Sequence, residues 1–216
     1  MRLYSYFRSS ASYRVRIALN LKGLAYDYLP VHLVRGEQSA PGYLGVSPDG
    51  LVPLLETDDG AAHLSQSLAI IEYLDEVHKQ VPLMPADAIG RARVRAMALT
   101  IACEIHPVNN LRVVKYLTQE LGVDEAGKTA WYRHWVRVGL EAFERQLAAV
   151  PAGSRGRFCH GDTPTLADCC LAPQIFNARR FECDLSGLPL TMAAYEAAAA
   201  LEAFKAAEPG ACPDAG

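Results

Sequence analysis

What most constrains this chain is a change of pattern near residue 87: the first eighty residues alternate strand and helix signals, and everything after them reads as helix. Leu3-Tyr-Ser-Tyr6 is a short apolar-polar strand, and Ser12 to Leu21 carries Val15, Ile17, Ala18 and Leu21 at helical spacing. Gly23 closes that helix, because glycine takes the left-handed conformation a C-terminal cap needs. Residues 25–31 (AYDYLPV) form a second strand, placed at a sheet edge because Pro30 has no ladder donor. A polar, Gly/Pro-rich stretch from Val34 to Gly50 predicts little regular structure. Leu51 to Glu56 and Ala61 to Leu64 then flank Asp58-Asp59-Gly60, a hairpin signal. From Gln66 the run LAIIEYLDEVH spaces Leu68, Ile70, Ile71, Leu74 and Val77 as a half-buried helix.

The order is therefore βαβ, an irregular segment, then ββα, which describes a thioredoxin-like α/β domain over residues 1–80. Residues 81–87 read as a linker, with Pro82 and Pro85 unable to continue a helix, and residues 88–216 as an all-α domain. In the second domain Val94, Met97, Ala98, Ile101 and Ile105 make one apolar stripe, and Pro107 should end that helix near His106. Residues 124–149 predict a helix with Trp131, Trp135, Val138 and Ala142 in register. Gly161 to Asp168 opens another, Thr165 capping it with Asp168 three residues on. A last helix is expected from Leu190 to Ala206.

Bulk properties exclude several classes of function. A net charge of −3 gives no support for nucleic-acid or membrane-surface binding, and no run of 18 apolar residues exists to cross a bilayer. The N-terminus enters a strand pattern without a signal-peptide core, so a cytoplasmic location is expected. None of the six cysteines forms a C-x-x-C pair, and buried free thiols are the expectation. Cys103 and His106 stand one helical turn apart without a second ligand pair, so no metal site is expected.

Arg8-Ser9-Ser10 lies where the first strand runs into the first helix. Such a junction sets hydroxyls and backbone N–H groups at the positive end of a helix dipole, which favours an anion or a thiolate. No Gly-rich loop accompanies it, which disfavours phosphate. Taken alone, Ser9 or Ser10 reads equally as an ordinary helix cap.

The motifs Tyr6-Phe-Arg-Ser-Ser-Ala-Ser-Tyr-Arg-Val-Arg-Ile-Ala-Leu19, Val52-Pro53 and Gln66-Ser-Leu-Ala-Ile-Ile-Glu-Tyr-Leu74 occur in that order. Ile105-His-Pro-Val-Asn-Asn-Leu-Arg112, Gly161 to Asp168 and Asn177-Ala-Arg-Arg-Phe181 follow them. Together they resemble the zeta class of cytosolic glutathione transferases over nearly the whole chain. The resemblance implies the cytosolic glutathione transferase fold, a homodimer, and glutathione as a recycled cofactor. It implies Ser9 as hydrogen-bond donor to the glutathione sulfur, with Ser10 and Arg8 beside it as catalytic residues. Ala11 stands where the family commonly has cysteine. The implied glutathione ligands are Ser9, Ser10, Ala11, Arg14, Gln38, Val52, Pro53 (with a cis bond before it), Gln66, Ser67, His106, Asn110 and Arg112. Arg8, Arg180 and Asn110 are the implied ligands of a small diacid substrate. Arg16 is assigned to an exposed or inter-domain face.

The implied reaction is glutathione-dependent cis–trans isomerisation of a maleyl-type keto diacid, maleylacetoacetate of tyrosine and phenylalanine breakdown. Leu111 favours that substrate, since a charged residue there would suit a further carboxylate. The alternatives are maleylpyruvate of gentisate degradation, and conjugation or dehalogenation of α-haloacids.

Overall fold

The computed structural model describes residues 1–215. It divides into two compact units. One comprises Met1–Leu83 with the described residues from Ala199 onward, and the other Met84–Ala198.

The first unit is built on strands β1 (Arg2–Ser5), β2 (Asp27–Pro30), β3 (Leu54–Glu56) and β4 (His63–Ser65), in the order β2-β1-β3-β4. β1 pairs in parallel with β2, Leu3 opposite Tyr28, and antiparallel with β3, Leu3 opposite Leu55. β3 and β4 form the hairpin, Leu55 opposite Leu64. β2 is the edge strand that Pro30 demanded. β3 begins at Leu54 rather than Leu51, because Pro53 has no N–H to place in a ladder. The expected irregular stretch holds two single-turn 3-10 segments and the four-residue helix α2 (Pro41–Leu44).

Helix α1 (Ser10–Leu21) packs on α3 (Ser67–Val77). Every residue from Ser12 to Leu19 is buried, so α1 has no solvent face. Its end is the expected glycine cap: Gly23 has φ +64°, its N–H donates to the Asn20 carbonyl at 3.1 Å, and that of Leu24 to the Leu19 carbonyl at 3.0 Å. Beside it the Lys22 ammonium is fully buried and uses all three donors. They go to Asp75 Oδ1 at 2.7 Å, His78 O at 2.9 Å and Val81 O at 3.1 Å. Asp75 also accepts the Leu83 N–H at 2.7 Å, so this cluster ties the end of α3 to the segment that follows it.

The second unit contains α4 (Ala88–Leu99), α5 (Leu111–Gln119), α6 (Glu125–Ala148), α7 (Leu166–Arg180) and α8 (Pro189–Ala199, whose last residue groups with the first unit). α4 runs on as a π-helical segment, Thr100–Ile105, which stops at His106 as Pro107 requires. Burial in α6 falls on Tyr132, Val136, Gly139, Leu140, Phe143 and Leu147, one residue away from the expected stripe; Trp131 and Trp135 are half-buried and Val138 is exposed. The cause is Gly139. A Cβ there would lie 2.2 Å from Ile105 Cγ1, so only glycine lets α6 approach the π-helical segment so closely. α7 opens on the expected capping box, with the Thr165 N–H donating to Asp168 Oδ2 and the Cys159 N–H to Oδ1.

The last expected helix is broken. α8 stops at Ala199, Leu201 is extended, and α9 (Glu202–Lys205) begins a tail that packs on α1 through buried Phe204 and Ala207. An alanine run supplies helix propensity but no large apolar face, so packing decides the direction of the chain beyond it. The described residues from Ala199 onward therefore belong with the first unit, where the sequence reading places them in the helical one.

Replacing Lys22 with methionine leaves the Asp75 carboxylate and two carbonyls without their cation. Unfolding stability is expected to fall by about 3 kcal/mol in denaturant titration. An unchanged midpoint would show that the ammonium is not holding these segments.

Candidate active site

β1 ends at Ser5, and the next four residues carry the chain into α1. The Tyr6 carbonyl accepts the Ser9 N–H at 2.9 Å, which closes the turn. Ser9 is the N-cap: its backbone is extended (φ −71°, ψ 117°), and its Oγ accepts the Ser12 N–H at 3.2 Å. Capping uses a lone pair of the hydroxyl and not its hydrogen, so the same Ser9 remains able to donate. The two readings of Ser9 left open by the sequence are thus compatible. No acidic residue lies in the first turn of α1, so the dipole's positive end is not neutralised from within the helix. Ser10 is buried, Ala11 half-buried and Arg8 exposed, its guanidinium 4.8 Å from the centre of the Phe7 ring.

The Val52–Pro53 bond is cis. Val52 belongs to a buried cluster with Tyr6, Val31 and Tyr43. The Tyr43 hydroxyl donates to the Leu51 carbonyl at 2.5 Å and that of Ser47 to the same oxygen at 3.2 Å, which fixes the approach to Val52. Burial pushes the Tyr43 phenol up to about 12, so it stays a donor at neutral pH. Gln38 lies in a 3-10 turn with Oε1 buried and without a protein partner, a free acceptor.

Gln66 caps α3 with φ +66° and ψ 113°, a region L-residues rarely enter. Its side chain makes no capping bond and α3 has no acidic residue in its first turn, so this N-terminus too keeps its positive end. Buried Ser67 accepts from Arg14 Nη1 at 3.2 Å, and Arg14 is itself only 3% exposed. Strain, a helix N-terminus and a buried cation thus coincide at Gln66-Ser67, the donor set a carboxylate requires. With the Ser9 hydroxyl and the Gln38 acceptor, these groups fit the thiol, carboxylate and amide chemistry of glutathione.

In the helical unit the structure brings His106 and Asn110 together, Asn110 Nδ2 lying 3.4 Å from His106 Nε2. Asn110 caps α5 by accepting the Arg112 N–H at 3.1 Å; the Leu111 and Arg112 side chains are exposed. Arg180 is exposed at the end of α7, 5.1 Å over the ring of Phe181, which stacks on buried Tyr132 at 3.7 Å. Asn109, the neighbour of Asn110, donates from Nδ2 to the Tyr132 carbonyl at 3.4 Å, so Tyr132 touches both this turn and Phe181.

Arg16 corrects the sequence reading. It is 1% exposed, on no solvent face, and donates to the Tyr6 and Phe7 carbonyls, which lead into the Ser9 turn, and to the Ala207 carbonyl in the C-terminal tail. Asp214, which accepts the Phe7 N–H, was not singled out either. Ser12, Arg16 and Asn20 recur every four residues along α1 and mimic a solvent face, so no local signal marks the burial of Arg16, and nothing local marks Asp214.

Residues 8–77 match the family model for the glutathione S-transferase N-terminal domain and residues 130–183 that for its C-terminal domain. The maleylacetoacetate isomerase of Rhizobium meliloti is 49% identical over 207 residues, covering 96% of this chain and 95% of that protein. The holo structure of a maleylpyruvate isomerase, described as a bacterial zeta-class glutathione S-transferase, superposes with TM-score 0.95 at 49% identity, covering 100% of both chains. A maleylacetoacetate isomerase from Anaeromyxobacter dehalogenans, solved with dicarboxyethyl glutathione and citrate in its active site, gives TM-score 0.87 at 43% identity, covering 100% of this chain and 97% of that one.

If the Gln66 backbone is strained as its angles indicate, Gln66→Gly should raise unfolding stability by about 1 kcal/mol in urea. A loss of similar size, as glycine brings at an ordinary position, would show that no strain resides there.

Proposed function

The chain belongs to the zeta class of the glutathione S-transferase family, and on that footing we propose that it isomerises the cis double bond of maleylacetoacetate with glutathione as recycled cofactor. The observation that carries this reading is Ser9, which caps α1 with its oxygen and keeps its hydrogen for a sulfur at the N-terminus of a helix with no acidic residue in its first turn. Bound glutathione supplies a thiolate whose electron pair forms a C–S bond at one alkene carbon while the π pair moves toward the conjugated carbonyl; after rotation about the resulting single bond the pair returns and the C–S bond breaks.

The chain's residues make that exchange possible. The Ser9 hydroxyl donates to the sulfur and, with the α1 dipole, favours thiolate over thiol. Ser10 and Ala11 complete the first turn around it, and the methyl group of Ala11 leaves the activation to the serine. Gln66 and Ser67, backed by Arg14, take the γ-glutamyl carboxylate. The Val52 backbone, followed by Pro53, pairs with the cysteinyl group; Gln38, His106, Asn110 and Arg112 serve the rest of the cofactor. Arg8 and Arg180 pair with substrate carboxylates, their planar forks matching those groups, and Asn110 assists. Positive charge at those carboxylates and at the carbonyl that gains electron density lowers the barrier. In this reading the chain works as a cytoplasmic homodimer, and no helix among the described residues is long and apolar enough to cross a membrane.

Maleylpyruvate is a second reading, favoured by the 49% identity to the maleylpyruvate isomerase structure. Assaying both substrates side by side, with and without glutathione, decides between them. Turnover should require glutathione and be faster with maleylacetoacetate. Ser9→Ala should lower kcat/KM about 100-fold, while loss of the cap costs about 1 kcal/mol of stability. Undiminished turnover in that variant, or turnover without glutathione, would contradict the mechanism. Accumulation of a conjugate in place of the trans isomer would make the chain a transferase.

A further inference from the structure

The turn that carries Ser9 is not held by its own neighbours alone. Where β1 ends, the carbonyls of Tyr6 and Phe7 and the N–H of Phe7 have left the sheet and need other partners. Arg16 takes both carbonyls: Nη1 donates to Tyr6 O at 3.5 Å and Nη2 to Phe7 O at 3.1 Å, with Nη1 also reaching the Ser5 hydroxyl at 3.2 Å. Its remaining edge, Nε, donates to Ala207 O in the C-terminal tail at 3.0 Å. All four acceptors are neutral, so this buried guanidinium is spent on locating backbone rather than on an ion pair. The Phe7 N–H goes to Asp214 Oδ2 at 3.1 Å, and Asp214 is oriented by the Tyr28 hydroxyl, which donates to Oδ1 at 2.7 Å. Burial pushes the Tyr28 phenol up and keeps that donor protonated.

Both peptide groups flanking the Phe7 Cα are thereby gripped, the Phe7 carbonyl by Arg16 and the Phe7 N–H by Asp214. The Tyr6 carbonyl that Arg16 holds is the one that accepts the Ser9 N–H. One unbroken set of hydrogen bonds runs from residues 207 and 214, through the turn, to Ser9.

We infer that Arg16 and Asp214 are positioning residues for the glutathione sulfur, and that the C-terminal tail is a brace fixing the Ser9 hydroxyl where it stabilises thiolate. The inference rests on the reading that Ser9 serves that sulfur. It adds that activity depends on a segment some two hundred residues away in sequence, which touches the turn and not the ligand. A hydrogen bond weakens steeply as it bends, so thiolate stabilisation is the property most sensitive to a slack turn. Overall affinity draws on many other groups and should change little.

The test is proton release when the full-length chain binds glutathione at neutral pH, counted by titration calorimetry in buffers of different ionisation enthalpy, alongside kcat/KM for isomerisation. Asp214→Asn removes one carboxylate oxygen at a half-buried site and is checked by circular dichroism. It should bind glutathione within about threefold of wild type, release clearly less than the wild-type proton count, and lose about tenfold in kcat/KM. Adding Asp214→Asn to Ser9→Ala should lower activity no further than Ser9→Ala alone, because both act on the same hydrogen bond. Glu208→Gln, which alters only an exposed side chain in the same tail, should match wild type. Arg16→Lys keeps the charge but not the fork and should shift proton release the same way; Asp214→Asn decides the question if that chain does not fold. Wild-type proton release and turnover in Asp214→Asn, or full additivity with Ser9→Ala, overturns the brace. A wild-type chain that releases a proton with glutathione but does not isomerise overturns the proposed reaction and leaves the brace standing. A chain that binds no glutathione overturns both.

Discussion

Every backbone group that leaves a sheet must find another partner, and in this chain the groups between Ser5 and Ser10 find theirs in a way that leaves the chemistry open. The Ser9 N–H turns back to Tyr6, the freed carbonyls go to Arg16, and the Ser9 oxygen caps the helix. What these bonds do not consume is one hydroxyl hydrogen and the positive end of α1. The rest of the first unit maintains that arrangement. α1 is buried from Ser12 to Leu19, its far end is locked by the Lys22 cluster, and the tail closes over Arg16.

The same logic recurs at the start of α3. Neither helix has an acid in its first turn, and Gln66 makes no side-chain cap. Two N-termini free of acids in their first turns, one with a serine hydroxyl and one backed by the buried Arg14-Ser67 pair, suit a ligand carrying a thiol at one point and a carboxylate at another. On this account Ala11 is a modest departure. A methyl group in the first turn neither competes for the Ser9 hydrogen nor weakens the dipole.

Much of this was legible in sequence because it rests on local rules. The alternation of strand and helix to residue 80 gave the βαβ–ββα order, Pro30 the edge strand, Gly23 the helix stop and Thr165 with Asp168 the capping box. The readings that failed depend on contacts between distant residues. α1 carries two arginines, and a polar residue on a helix suggests solvent; full burial of Arg16 becomes favourable only once four acceptors converge on it. The buried face of α6 is decided by Gly139 meeting Ile105, and a hydrophobicity pattern scores glycine as neutral. Asp214 meets Phe7 across 207 positions, beyond any periodicity. The φ of Gln66 has no signature at all, since glutamine is not a residue that announces positive φ.

The central claim is that this junction lowers the pKa of the glutathione thiol. Its most direct test is ultraviolet titration of the thiolate absorbance of glutathione bound to the wild-type chain, set against free glutathione in the same buffer. The account predicts a midpoint well below that of the free thiol, with thiolate already dominant at neutral pH. A bound thiol that titrates with free glutathione would contradict it, whatever the rate of turnover.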